Sequence, residues 1–323
     1  MVLDPVSADR SWICDGRFDD IDAQAAQYSG YDQRYQQLSR GAFEGRFRSF
    51  HFGDDLVIHL ESANREIAAS ASTPAGRFGV CLLTDDSPPC SLNATEFSQS
   101  HIIVSPGKRC VEGIMSEGVT IYCMDVSPSL FPDAGDNMKA VGVLEDPLRS
   151  GRLRELVQSG LATFTALSGP AEYPAALCGF KSSVADLLSQ ATMRPSESEV
   201  IGTRRYASAR ALRVFRRARD YMEHNLCNGI AILNLCKEVG VSRRSLESVF
   251  KSVVGLSPGS YIRALQLNGV RRELLSGATV DTSIGVIAAR YGIWHWSRFS
   301  HAYRELFGEL PSQTRARLSL AKP

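Results

Sequence analysis

The stretch Thr282–Ser312, TSIGVIAARYGIWHWSRFSHAYRELFGELPS, decides the reading of this chain. Ile284, Ile287, Ala288 and Tyr291 fall at i, i+3, i+4 and i+7, which makes one apolar face of a short helix. Gly292 ends it, because glycine enters the left-handed conformation that a tight helix-to-helix turn needs. The spacing predicts a second helix with Trp296, Phe299, Tyr303 and Leu306 on its inner face. Ser297, Arg298, Ser300, His301 and Arg304 are left on or beside the outer face, which is polar, basic and without bulk.

The same pattern occurs upstream, and a repeat says more than one helix pair. Ile232, Leu235, Cys236, Val239 and Gly240 repeat the first helix and its turn; Leu246 and Phe250 repeat the second, and Gly255 and Pro258 answer Gly308 and Pro311. The offset is 52 residues before the second helix and 53 after it, as if the second copy carried one extra turn residue. The two helix-turn-helix units therefore span about 230–254 and 282–308.

Arg243 and Arg244 open the second helix of the first unit directly after Ser242, a favourable N-cap. Cations at the positive end of a helix dipole cost roughly 0.3 to 1 kcal/mol each, so their placement points to an anionic partner outside the helix. In helix-turn-helix proteins this is where base edges and phosphates of the major groove are met. A solvated arginine pair is the bland alternative.

Both units resemble the tandem helix-turn-helix of the AraC/XylS family of bacterial transcription regulators, from Leu212 to Arg317. That family's signature closes its second unit with Gly-Phe, Phe, Phe-Lys, Gly and Pro. Here Gly292-Ile293, Phe299, Tyr303-Arg304, Gly308 and Pro311 hold those places, and Trp294-His295-Trp296 departs from the usual short polar cap. The tryptophan-histidine pair, with Leu-Phe-Gly-Glu after it, is similar to the ethanolamine-operon regulators of the family. By family position Arg244, Glu247, Ser248, Ser297, Ser300 and His301 are the expected base readers, and Arg243, Lys251, Arg298 and Arg304 complete the DNA-contacting set. Glu247 either accepts from cytosine N4 or balances Arg243 and Lys251 on its own helix.

Charge agrees with that division of labour. The 323 residues carry a net charge of only +1, but residues 1–203 hold 16 Lys+Arg against 27 Asp+Glu, net −11, and residues 204–323 hold 20 against 8, net +12. Only the second part suits a polyanion. Eight cysteines show no C-x-x-C spacing, no signal-peptide pattern opens the chain and no apolar run approaches 18 residues. Free thiols, a cytoplasmic location and no membrane segment are expected.

Residues 1–40 have little period and read as a loose arm with one helix around Ile21–Leu38. From Ala42 to Val126, alternations such as Leu56, Ile58, Leu60 and Phe78, Val80, Leu82 are separated by turn clusters, the mark of short antiparallel strands in a barrel or sandwich. The family resemblance implies a cupin-like β-barrel. Its three histidines, His51, His59 and His101, lack the His-x-His start of a cupin metal site, so no metal and no cofactor are expected. His59 shares a strand face with Glu61.

Helices at 147–167 and 173–190 follow. The second has an apolar stripe including Leu177, Phe180, Val184 and Leu187, which either packs in its own domain or pairs two copies. Residues 191–203 read as a linker, and the arginines of 204–219 either face phosphate or water. Pro258 begins a connecting helix of about 18 residues, which at 1.5 Å each span roughly 27 Å. That length suits two reading helices in successive major grooves.

The expected fold class is therefore α+β: an N-terminal sensor and dimerisation domain over 1–190, a linker, and an all-α DNA-binding domain over 204–323. The function implied is sequence-specific transcription regulation by a homodimer, not enzymatic, responding to a small-molecule or protein signal through its N-terminal domain, with promoter DNA, a small-molecule effector and RNA polymerase as partners. Two rivals are an alkyl-transfer repair enzyme using Cys110, next to Lys108 and Arg109, and an architectural DNA binder whose barrel only dimerises.

Overall fold

The alternating stretches form two antiparallel sheets. In the computed structural model, which describes residues 12–93, 95–131, 141–167, 169–192, 209–277 and 281–320, the strands are β1 (Ile13–Phe18), β2 (Asp32–Gln37), β3 (Gly45–His51), β4 (Leu56–Ala63), β5 (Ile67–Ser72), β6 (Phe78–Leu83), β7 (Cys90–Leu92), β8 (Thr95–Phe97), β9 (His101–Pro106), β10 (Cys110–Met115), β11 (Val119–Val126) and β12 (Gly142–Glu145). Seven form one sheet in the order β1-β3-β4-β11-β6-β9-β12, and five form the other in the order β2-β5-β10-β7-β8. The two sheets face each other without closing into a ring, so the expected barrel is a two-sheet sandwich.

Of the loose arm expected over residues 1–40, residues 1–11 lie outside the described residues; in the rest, the helix expected around Ile21–Leu38 is only the short α1 (Ile21–Ala25), and strands β1 and β2 flank it. Strand β2, DQRYQQ, escapes detection because Tyr35 is its one large apolar residue; its buried Gln36 and Gln37 are covered by another domain.

Both faces of the larger sheet are covered. Leu56 and Ile58 of β4, with Phe78, Val80 and Leu82 of β6, face not the second sheet but helices α2 (Pro147–Ala166) and α3 (Pro174–Thr192). There Phe52, Phe164 and Phe180 interlock with ring centroids 5.1 to 5.7 Å apart. Asp146 caps α2, accepting from the Arg149 amide at 2.9 Å, and Pro147 takes the first helical position, where its missing N–H costs nothing. The opposite face of the sheet, with Ile103, Ile121 and Leu83, packs toward Tyr35, Ile67, Phe97 and Met115 of the smaller sheet.

The helical domain comprises α4 (Ala209–Asn225), α5 (Ile232–Val239), α6 (Arg243–Val254), α7 (Pro258–Leu275), α8 (Ile284–Arg290), α9 (Trp296–Phe307) and α10 (Pro311–Leu320). Ala191 and Thr192, expected to open the linker, still belong to α3; the rest of the expected linker and the arginines before residue 209 lie outside the described residues. Helices α5–α6 and α8–α9 are the two helix-turn-helix pairs, turning at Gly240 (φ 69°) and Gly292 (φ 73°). Phe215, Phe250 and Tyr261 centre one core, and Phe299, Tyr303 and Phe307 the other; α7 contributes to both.

The two domains are docked through polar contacts. Gln37 and Asn268 exchange two hydrogen bonds of 3.1 Å, amide to amide as in a strand ladder, and Gln37 Nε2 also donates to the Leu306 carbonyl at 2.5 Å. Arg271 reaches Asp20 at 3.1 Å, Arg272 reaches Asp22 at 2.9 Å, and Glu112 receives Arg216 at 3.2 Å and Arg219 at 2.5 Å. Ala68 and Ile114 add an apolar contact to the core around Phe215.

His59 is enclosed by the rings of Tyr28, Phe47 and Tyr31, with centroids 4.9, 5.2 and 6.2 Å away, and its Nδ1 is buried without a hydrogen-bond partner among the described residues. Burial, helped by the nearby His51, lowers its pKa from 6.5 to about 3. The unfolded chain takes up a proton near pH 6.5 that the folded chain refuses until about pH 3, so stability is lost as pH falls through that window. Replacing His59 by Phe keeps the ring packing. In urea titrations at stepped pH it should flatten the acid loss by up to about 1.4 kcal/mol per pH unit; an unchanged slope would contradict this.

Candidate nucleic-acid interface

Two reading helices present the expected polar faces. In α6, Leu246 and Phe250 point into the core while Arg243, Arg244, Glu247, Ser248 and Lys251 are exposed. Ser242 caps the helix by accepting from the Ser245 amide at 3.2 Å. Arg243 pairs with Glu247 at 3.1 Å, one turn on, and Lys251 donates to the Gly255 carbonyl at 2.9 Å. Arg244 makes no hydrogen bond or ion pair among the described residues, which leaves its planar fork available for guanine or phosphate.

In α9, Ser297, Arg298, His301 and Arg304 are exposed and Ser300 is half-buried, while Phe299, Tyr303 and Leu306 are buried. His301 Nδ1 lies 3.5 Å from Glu305, whose carboxylate also holds Arg40 of the N-terminal domain at 3.0 Å. One expectation fails here. Trp296 is 46% exposed, not part of the inner face, because it takes the first helical position and lays its indole over Gly285. A Cβ at Gly285 would sit 3.0 Å from that ring. Trp294 is 70% exposed beside it, so the second reading helix begins in two aromatic surfaces where the first begins in two arginines.

Not every arginine of the basic domain faces outward. Arg216 and Arg219 are committed to Glu112 of the N-terminal domain, and Arg217 donates to the Glu238 carbonyl at 2.7 Å. Of the stripe on α3, Phe180 and Val184 lie inside their own domain's core, and Leu177 and Leu187 sit half-buried at its margin. Gly160 of α2 admits the Phe180 ring, which a Cβ there would meet at 2.3 Å. Cys110 faces Ser70 at 3.3 Å and Glu112 at 3.8 Å, and among the described residues no three His, Cys, Asp or Glu side chains gather as a metal site.

A second site lies between the two sheets. A cavity of about 110 Å³ is lined by Tyr28, Tyr31, Tyr35, Glu61 and apolar residues from both sheets, including Phe97, Ile103 and Met115. Glu61 is buried and accepts from Gln24 Nε2 at 2.7 Å, Tyr28 OH at 2.8 Å and Tyr35 OH at 2.8 Å. Burial raises its carboxyl above the ordinary range, outweighing these three donors. Cys81 and Cys123, directly opposite across β6 and β11, bring their sulfurs to 3.6 Å on the cavity wall. Sequence reasoning noticed only Glu61 of this group. The others come from six separate segments with no local spacing to join them.

The sequence matches to known proteins fall in the helical domain. Residues 235–317 match the helix-turn-helix domain family. The XylDLEGF operon transcriptional activator 2 of Pseudomonas putida is 39% identical over 108 residues, 33% of this chain and 67% of that protein. Regulatory protein HrpB of Ralstonia nicotianae is 36% identical over 108 residues, and there the match spans only 23% of the relative's length. Among solved structures, a transcriptional regulator with an AraC-type DNA-binding domain from Chromobacterium violaceum is 30% identical (TM-score 0.32), covering 36% of this chain and all of that one. The AraC-like transcriptional activator CuxR is 17% identical (TM-score 0.45) over 86% of this chain and 99% of its own.

If Arg244 and His301 contact bases, replacing either by Ala should weaken binding to a selected site by about 1 to 3 kcal/mol and relax preference at one position of it. Equal losses on selected and random DNA, measured by competition titration, would reduce them to phosphate contacts.

Proposed function

The chain belongs to the AraC-type family of helix-turn-helix transcription regulators, and on that premise we propose that it activates transcription from promoter DNA under the control of an effector held between its two sheets. It works in the cytoplasm, as a homodimer joined through its N-terminal domain, and recruits RNA polymerase at the promoter. All eight cysteines are free, and no described helix is long and apolar enough to cross a membrane.

The observation that carries the control step is a continuous run of polar contacts between the cavity and the second reading helix. Glu61 in the cavity holds Gln24 of α1; Asp20 caps the same short helix and binds Arg271 of α7 at 3.1 Å. Arg271 binds Glu309 at 2.6 Å, Glu309 accepts from Thr314 at 2.8 Å, and Thr314 accepts from the hydroxyl of Tyr303 in α9 at 2.9 Å. A second connection is the wall itself, since Ala69 and Gly113 border both the cavity and the crevice against Phe215, Arg219 and Tyr261. An effector that moves Glu61 or this wall changes how firmly the DNA-binding domain is docked.

The full chain, offered random duplexes, should select a defined sequence, with affinity falling steeply as salt rises because bound phosphates release counterions. Asp20→Asn keeps the α1 cap but removes the charge facing Arg271. It should raise the affinity of the effector-free protein for that site several-fold, because docking is weakened. No selected sequence at low salt would refute the assignment, and an unchanged or lower affinity in the variant would refute the docking control.

A further inference from the structure

Taking the cavity as the effector site, we infer that its ligand is an uncharged, single-ring-sized molecule carrying a hydrogen-bond donor, and that carboxylates are excluded. Size comes first. At about 110 Å³ the cavity is somewhat smaller than a roughly 150 Å³ apolar cavity that holds benzene. That size suits a ligand of about one ring and is small for a long acyl chain or a fused polycycle.

Charge comes second. The lining contains no Lys, Arg or His among the described residues. Arg77, which lies close through Asp125 and Tyr31, is committed to the Asp125 carboxylate and to the Asp54 carbonyl at 2.8 Å. A ligand carboxylate would therefore be buried without a counter-charge, beside the acid of Glu61, which is the costliest arrangement a pocket offers. A cation fares little better. Glu61 already accepts from three donors, Gln24, Tyr28 and Tyr35, so it has at most about one acceptor position left for an ammonium with three N–H groups to satisfy.

Polarity comes third. Gln33 lines the cavity and donates from Nε2 to Tyr35 OH at 2.6 Å, while its Oε1 is buried with no hydrogen-bond partner among the described residues. A buried carbonyl left unpaired costs free energy that a ligand O–H or N–H would recover. The remaining lining, with Ala71, Phe97, Ile103, Ile114 and Met115, asks for apolar surface. Phenols, aryl alcohols and small heteroaromatic N–H compounds meet all three demands.

Ligand-observed NMR titrations of the full chain test this, with phenol and benzyl alcohol set against benzoate and benzylammonium, and toluene as the ring without a donor. Phenol or benzyl alcohol should bind at least about tenfold more tightly than benzoate or benzylammonium, a difference of about 1.4 kcal/mol. Gln33→Leu should remove most of the advantage of phenol over toluene, and Ala71→Phe, which fills the cavity, should abolish binding of all neutral probes. Tighter binding of benzoate or benzylammonium overturns the ligand class while leaving the cavity as the effector site. An undiminished preference for phenol in Gln33→Leu overturns the donor requirement. If no probe of any class binds, or if binding survives in a folded Ala71→Phe protein, both the inference and the sensor reading on which it rests fall together. Should Ala71→Phe not fold, the probe ranking on the unaltered chain and the Gln33→Leu result still decide.

Discussion

Helix α7 is the constraint on which the molecule depends. Eleven of its 18 residues are buried, on all sides, because it must fill three surfaces at once. Tyr261, Ile262 and Leu265 complete the first helix-turn-helix core, Leu267, Val270 and Leu274 complete the second, and Asn268 and Arg271 meet the N-terminal domain. Gly269 lets Tyr291 approach so closely that a Cβ would lie 2.4 Å from its ring. A helix with three partners cannot rotate to suit one without disturbing the others. It therefore fixes the relation between the two reading helices and also transmits any change in docking.

The chemistry of the docking surface suits an interface that must open. Buried ion pairs such as Arg271 with Asp20 add little net stability over an apolar contact of the same shape, since desolvation offsets attraction, yet they fix geometry and are costly to leave half-made. Polar interfaces between domains of one chain are accordingly the ones that move. The Arg216 and Arg219 pair on Glu112 has a further consequence: two cations of the basic domain are turned away from DNA while the domains are docked.

What the sequence made legible follows from how local each signal is. Gly240 and Gly292, Ser242 and the apolar positions of α5, α6, α8 and α9 state their roles within a dozen residues, so the tandem units and their outward faces could be read directly. Trp296 misled because periodicity assigns it inward, whereas the extra turn residue of the second unit places it at the helix start, over Gly285. Leu56, Ile58, Phe78 and Val80 were legible as strand residues, but alternation cannot say which face meets helices and which meets a second sheet. Strand β2 and the cavity were not legible at all. Gln33, Tyr35 and Gln37 acquire meaning only from Glu61 and Asn268, and nothing in the spacing of such residues announces a contact across the fold.

Helix α7, 18 residues and about 27 Å long, joins the two reading helices at a spacing that suits one face of the duplex. Hydroxyl-radical footprinting of the full chain on its selected site should show, for each bound copy, two protected patches about 10 base pairs apart on the same face of the DNA. One patch per copy, or a pair on opposite faces, would rule this out.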